Sequence, residues 1–163
     1  MAKKILEAGA MAPDFALNTT PDQKISLKEL RGKPVILVFY PADFSPVCSS
    51  EISLYNEVLP EFHKHGAEIL GISVDGTWCH TAFAQHYKIK FPLLSDFEPK
   101  GAVAKKYNAY HNEMGLCERA LFLIDKNGKI AWSYLSPIGE NPGADGILEA
   151  LENLNCKEAK ASR

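Results

Sequence analysis

The chain has 163 residues, enough for one domain with a real core that needs no metal or disulfide to hold it. Its 18 basic and 20 acidic residues leave a net charge of −2, with lysine and arginine scattered along the chain, which excludes a basic face built for nucleic acid or anionic membrane. No window approaches the run of about eighteen apolar residues that a membrane span requires.

The opening "MAKKILEAGAMAPDF" carries two lysines, but Glu7 and Gly9 break its apolar stretch, so it does not read as a signal peptide. A cytoplasmic protein is expected, and there Cys48, Cys79, Cys117 and Cys156 rest as thiols. Any disulfide among them is then transient and catalytic rather than structural. From Asp14 to Lys33 the turn-rich sequence reads as small strands and a turn, an N-terminal hairpin. "PVILVFY" (Pro34 to Tyr40) is too short for a core helix and fits a strand covered on both faces.

Ile52, Tyr55, Val58, Leu59 and Phe62 recur at helical spacing, which predicts a helix from about Val47 to His65 that stops at Gly66. Pro60 inside it predicts a kink. "AEILGISVD" (Ala67 to Asp75) is the next buried strand, completing a parallel strand–helix–strand unit with a right-handed crossover. "TWCHTAFAQHYK" reads as a short helix, "FPLLSD" as a short strand and "EPKGAVAKKYN" as another helix. After a polar stretch, "RALFLID" and "KIAWSYL" form a hairpin around "KNG". "GADGILEALENLN" is the last helix, and residues 155–163 are expected to be a flexible tail. The sum is a single α/β domain over 1–163, a three-layer sandwich of thioredoxin type with a central mixed sheet.

Ligands of open α/β sheets collect beyond the carboxyl ends of the parallel strands, and the pattern puts Cys48 there, near a helix start. The partial positive charge and free amides of a helix N-terminus stabilise a thiolate, lowering a cysteine pKa from its free value of about 8.5. A buried, inert cysteine is the plain alternative. No second cysteine lies three residues from Cys48, so the paired thiols of a dithiol reductase are missing.

"FYPADFSPVCSSE" resembles the peroxiredoxin active-site pattern of proline, three residues, threonine or serine, two residues and the peroxidatic cysteine. Pro41, Ser45 and Cys48 fall on it without a gap. Glu51 matches an acidic residue that the family often carries one turn on. "GISVDGTWCHTAF" and "ERALFLIDKNGKI" extend the resemblance, the second bringing the family's active-site arginine onto Arg119. It covers about Pro13 to Leu154, and its one departure is serine for threonine at Ser45.

The resemblance implies a thiol-dependent peroxidase for hydrogen peroxide and organic hydroperoxides that uses no cofactor. Cys48 would be the nucleophile, passing through a sulfenic acid. Ser45 would hold the peroxide and touch the sulfur, and Pro41 would shield the thiolate and fix the loop. Arg119 would lower the cysteine pKa and stabilise the breaking O–O bond, oriented by Glu51. The resolving thiol stays open: Cys79 is favoured, Cys117 and an external thiol follow, and Cys156 comes last because the family's Val-Cys-Pro context is absent. Expected partners are a thioredoxin-like or other thiol reductant and a second copy in a homodimer.

Two other readings remain at this point, a peroxide-sensing or partner-binding redox module on the same fold and a disulfide reductase using Cys48 with a distant thiol. A metal site drawn from Cys79, His80, Cys117, His111 and His63 is set aside, because adjacent helix residues diverge by about 100° and ligand pairs need wider spacing. His80 reads as a packing or helix-end residue. Trp78, Phe83, Tyr107 and Trp132 read as core or subunit contact.

Overall fold

The computed structural model describes residues 3–161. In chain order it contains β1 (Ala16–Thr20), β2 (Gln23–Ser26), a 3-10 turn (Leu27–Leu30), β3 (Val35–Phe39), α1 (Pro46–Lys64), β4 (Glu68–Ser73) and α2 (Thr77–Tyr87). These are followed by β5 (Leu93–Ser95), α3 (Ala102–Lys106), β6 (Tyr110–His111), β7 (Leu116–Cys117), β8 (Ala120–Ile124), β9 (Ile130–Leu135) and α4 (Asp145–Ala161).

Seven strands form one mixed sheet in the order β2-β1-β5-β4-β3-β8-β9, and β6 and β7 pair separately. β3, β4 and β5 run parallel, as their helical crossovers require, while the hairpins β1-β2 and β8-β9 add antiparallel edges. Every residue of β3 is buried, because both faces of the sheet are covered at that strand.

The alternation of β3 sorts the core into two layers. Ile36, Val38 and Tyr40 pack with Ile52, Tyr55, Leu59 and Phe62 of α1, Phe83 of α2, and Ile147, Leu151 and Leu154 of α4. Val35, Leu37 and Phe39 pack on the other face with Phe122, Val103 and Tyr107, closed by Ile5 and Phe15 from the N-terminal segment. Each large side chain fully buried in these layers contributes roughly 1.5–3 kcal/mol. Among the described residues no helix is long and apolar enough to cross a membrane.

Several details differ from the sequence reading. α1 begins one residue earlier, at Pro46, whose fixed φ and missing N–H suit the first helical position, and it runs unbroken through Pro60. It stops where Gly66 takes φ +72, as the sequence suggests. The helix expected over 98–108 shrinks to α3. Asp96 accepts from the amides of Val103 (3.1 Å) and Ala104 (2.9 Å) and starts the helix late, after Gly101. That glycine has φ +72, and a Cβ there would lie 2.4 Å from the Tyr110 ring.

The polar stretch before β8 hides the β6-β7 pair. α4 continues through 156–161, part of the expected tail, because Ala, Lys and Glu are good helix formers and nothing there breaks the helix. The last two tail residues lie outside the described residues. Of the aromatics expected as core or subunit contact, Phe83 and Tyr107 are fully buried in the core, whereas Trp78, 78% exposed, is not a core residue.

Candidate active site

β3 ends at Phe39; the amide of Tyr40 just after it donates to Ile72 O (3.1 Å), and the chain then bends through Pro41, which is buried, and on to Ser45. Within that bend Phe44 has φ +67, a strained value for an aromatic residue. Its ring is held edge-on against Phe83 at 5.1 Å, which compensates the backbone. Ser45 caps α1: its hydroxyl oxygen accepts from the amide of Cys48 (3.2 Å), and its carbonyl accepts the first helical bond, from Ser49 (2.8 Å).

Cys48 is therefore the third residue of a nineteen-residue helix, fully buried at its positive end. Glu51 and Tyr55 lie three and seven residues further on, along the same helical face.

Arg119 reaches this point from the neighbouring strand. The antiparallel pairing of Phe39 with Ala120 puts the residue before β8 beside the carboxyl end of β3. Arg119 Nη1 donates to Cys48 Sγ at 3.4 Å and to Glu51 Oε1 at 2.8 Å, and Nε donates to Ile138 O at 2.9 Å. Glu51 Oε2 accepts from the hydroxyl of Tyr55 at 3.0 Å. Cys48, Glu51, Tyr55 and Arg119 are all at most 2% exposed, so these groups interact in a medium of low dielectric.

Burial pushes the Glu51 carboxyl up from its ordinary value, and the bonds and charge of Arg119, with the Tyr55 hydroxyl, offset only part of that. Burial also works against the Arg119 charge, but Glu51 and Cys48 outweigh it and hold the guanidinium pKa above its ordinary value.

Of the residues expected in the site, Cys48, Glu51 and Arg119 thus touch directly. Ser45 touches the amide of Cys48, not its sulfur, and Pro41 lies in the bend between them. Tyr55 reads in the sequence only as one position of the apolar stripe of α1. The available signal was a phenol four residues after a buried carboxylate, at helical contact spacing.

A second buried network holds the bend. The Tyr40 hydroxyl donates to Asp43 Oδ1 (2.6 Å), and the Asp43 amide donates to Asp75 Oδ2 (2.8 Å). The ring nitrogens of His80 face Asp43 Oδ2 (2.7 Å) and Leu94 O (2.9 Å), both acceptors, so the imidazole bridges the loop carboxylate and the β5 backbone. Burial, reinforced by Asp43, pushes the Tyr40 phenol well up. His80 is thus a tie between α2, β5 and the loop before Cys48, which is more than packing.

Asp43, Asp75 and Cys79 offer three possible metal ligands within 4.8 Å of one another. The two carboxylates, however, are already engaged by Tyr40, His80, Ser73 and the Asp43 amide.

The three remaining cysteines are not equivalent. Cys79 is partly exposed in the first turn of α2, and burial together with Asp43 and Asp75 pushes its thiol up to about 12. Cys117 is buried in the core on the α3 face, across the sheet from the layer that contains Cys48, and burial pushes its thiol well up. Cys156 is exposed on α4.

Comparison with known proteins agrees with this geometry. The profile of the AhpC/TSA family matches residues 8–133. Alkyl hydroperoxide reductase E of Mycobacterium tuberculosis (strain ATCC 25618 / H37Rv) is 37% identical over 137 residues, covering 83% of this chain and 90% of that protein. Peroxiredoxin 2 of Thermoplasma acidophilum is 33% identical over 152 residues, covering 90% of this chain and 75% of the relative. The reduced 2-Cys peroxiredoxin of Plasmodium vivax superposes with a TM-score of 0.86 at 31% identity, covering 94% of this chain and 84% of that one. The three layers are those of the thioredoxin-like peroxiredoxin fold, as the sequence suggested.

Proposed function

This chain belongs to the AhpC/TSA family and is a thiol-dependent peroxidase, and on that premise we propose that Cys48 is its peroxidatic nucleophile and Arg119 the cation that holds the thiolate. Glu51 is the anion that orients Arg119, while Ser45 and Pro41 shape the first turn and the loop before it. The observation that supports this reading most is the single Arg119 nitrogen shared between Cys48 Sγ at 3.4 Å and Glu51 Oε1 at 2.8 Å.

The thiolate attacks the terminal oxygen of the hydroperoxide. An S–O bond forms as the O–O bond breaks, sulfur is oxidised by two electrons, and the leaving alkoxide or hydroxide takes a proton from solvent. Arg119 meets the charge that builds on the oxygens, which lie in a dry site where a fixed donor counts most. Hydrogen peroxide and alkyl hydroperoxides are the substrates this reading names. The sensing module is not favoured, since the matched relatives are named alkyl hydroperoxide reductase and peroxiredoxin.

A thiol then condenses with Cys48–SOH, giving a disulfide and water. Cys79 is the internal candidate, because its helix packs on the same layer as α1, through Phe83. Cys117, in the opposite layer, is second, and an external thiol serves if neither reacts. A disulfide needs Cα atoms within about 7 Å, so the turn 46–50 must unwind for an internal link. Ser49 and Ser50, both poor helix formers, make that turn cheap to lose.

A thioredoxin-like dithiol completes the cycle. Four free thiols suit the reducing cytoplasm, and the exposed Phe44, Trp78 and Phe97 suit a homodimer.

Stopped-flow mixing with hydrogen peroxide tests the nucleophile, since Cys48→Ser is expected to lose peroxide consumption altogether. Acid-quenched peptide mapping after one equivalent of peroxide tests resolution. A Cys48–Cys79 peptide is expected, a Cys48–Cys117 peptide shifts the role, and persistent sulfenic acid assigns it to an external thiol.

A further inference from the structure

We propose that Tyr55 is a positioning residue for the peroxide reaction: its one hydroxyl, shared between the Glu51 carboxylate and the Gly143 carbonyl, fixes the anion that aims Arg119 at Cys48. The proposal rests on the reading of Cys48 as nucleophile and Arg119 as its cation.

Four contacts form one line. Gly143 O lies 3.1 Å from the Tyr55 hydroxyl, Glu51 Oε2 lies 3.0 Å from it, Glu51 Oε1 accepts from Arg119 Nη1 at 2.8 Å, and the same nitrogen reaches Cys48 Sγ at 3.4 Å. Among the described residues Tyr55 is the hydrogen-bond partner of Oε2, so with Arg119 on Oε1 it fixes the rotation of the carboxylate about its own axis. Packing does not call for the hydroxyl. Tyr55 is 0% exposed, with Phe62 at a ring separation of 6.3 Å, and phenylalanine would fill the same volume. A phenolic O–H carried into such a core is costly unless bonded, and here its acceptors are the site carboxylate and a loop carbonyl.

That loop, residues 136–144, touches the site at two more points. Ile138 O accepts from Arg119 Nε (2.9 Å), and Asn141 Nδ2 donates to Ser50 Oγ (3.4 Å). The hydroxyl has one proton for two acceptors, and the charged carboxylate draws it more strongly than the carbonyl does. The bond is therefore strongest when Glu51 is ionised, the state in which Glu51 grips the guanidinium.

Glu51 faces Cys48 and Tyr55 from its own helix and Arg119 from the residue before β8. Burial disfavours its charge, and the Tyr55 bond is one of the contacts that offset this. Without the hydroxyl, Glu51 binds a proton at higher pH and releases Arg119. The rate then follows the protonation of Glu51, through the aim of Arg119, rather than that of the thiol. Reactivity and thiolate formation then separate, which loss of packing alone would not produce.

The test compares two pH curves in wild type and Tyr55→Phe, the rate constant for hydrogen peroxide and the ultraviolet absorbance of the thiolate. In Tyr55→Phe the rate at neutral pH is expected to fall about tenfold, and the acid limb of the rate to move up by about one pH unit relative to the thiolate curve. In a Glu51→Gln background the same change is expected to add no further loss. Fluorotyrosine at position 55, a stronger donor that keeps the shape, is expected to move the limb the other way, and it serves if Tyr55→Phe does not fold.

Two superimposed curves with an unchanged limb, a full additional loss in the Glu51→Gln background, or no movement with fluorotyrosine would each overturn the proposal. Failure of the underlying reading looks different: Cys48→Ser would keep consuming peroxide.

Discussion

Replacing Arg119 by alanine removes three hydrogen bonds from a side chain that is 2% exposed, to Ile138 O, Glu51 and Cys48. Glu51, 0% exposed, is left without its cation, and an unpaired charge at such a depth costs about 3–5 kcal/mol. The carboxyl avoids much of that cost by taking a proton. Its folded pKa already lies above the ordinary value through burial, and losing Arg119 removes the largest offset, so it rises further.

The sign for stability follows. A carboxyl whose folded pKa is raised contributes stability that is fully present below its unfolded value, about 4.3, and is lost as pH rises through the folded value. The melting temperature of Arg119→Ala is therefore expected to approach wild type at low pH and to fall away from it above the folded Glu51 pKa. For the reaction, loss of one preorganised donor to the reacting centre costs on the order of 10²–10³ in rate. Stopped-flow mixing with hydrogen peroxide, with melting curves across pH, reads both effects. A rate within about threefold of wild type, or a melting gap that widens as pH falls, would refute the reasoning.

Ser45→Ala removes the cap of α1 and is expected to cost about 1 kcal/mol in denaturant unfolding, together with a loss of peroxide rate. An unchanged midpoint would show that the 3.2 Å bond to the Cys48 amide contributes nothing. Ser49→Ala is expected to stabilise by up to about 0.5 kcal/mol, because among the described residues the Ser49 hydroxyl is buried without a partner and alanine is the better helix former; a lower melting temperature would contradict this. At pH 8, with a thiol pushed up to about 12, Cys79 has a thiolate fraction on the order of 10⁻⁴. Asp75→Asn is expected to speed its alkylation by iodoacetamide severalfold, and an unchanged rate would mean that Asp75 does not hold the thiol.

Local pattern carried much of the fold. The nearly unbroken apolar run 34–40 reads as a doubly covered strand because it lacks polar alternation, and every residue of β3 is buried. The stop of α1 reads from Gly66, which takes the left-handed conformation that ends the helix. Where long-range contacts decided the outcome, the sequence was silent. α3 is short because Asp96 caps it from outside the helix, and β6 and β7 are two-residue strands with no room for an alternating pattern.

The site divides in the same way. Cys48, Ser45 and Glu51 follow from one helical turn, whereas the approach of Arg119, 71 residues from Cys48, depends on the register that pairs Phe39 with Ala120. Tyr55 sat unnoticed in the apolar stripe because its ring belongs there and only its hydroxyl does not. For Trp78 the reading as core or subunit contact keeps only its second half, because hydrophobic character alone does not decide burial and at 78% exposure the side chain lies open on the surface.

The identity of the nucleophile is tested most directly by mixing the reduced protein with one equivalent of hydrogen peroxide in the presence of dimedone, quenching within the first turnover and mapping the adduct by mass spectrometry. The expected result is a sulfenic acid adduct on Cys48 alone, absent from Cys48→Ser, which also leaves the peroxide unconsumed. An adduct that forms first on Cys79, Cys117 or Cys156, or a Cys48→Ser protein that still consumes peroxide at a rate near wild type, would contradict the account.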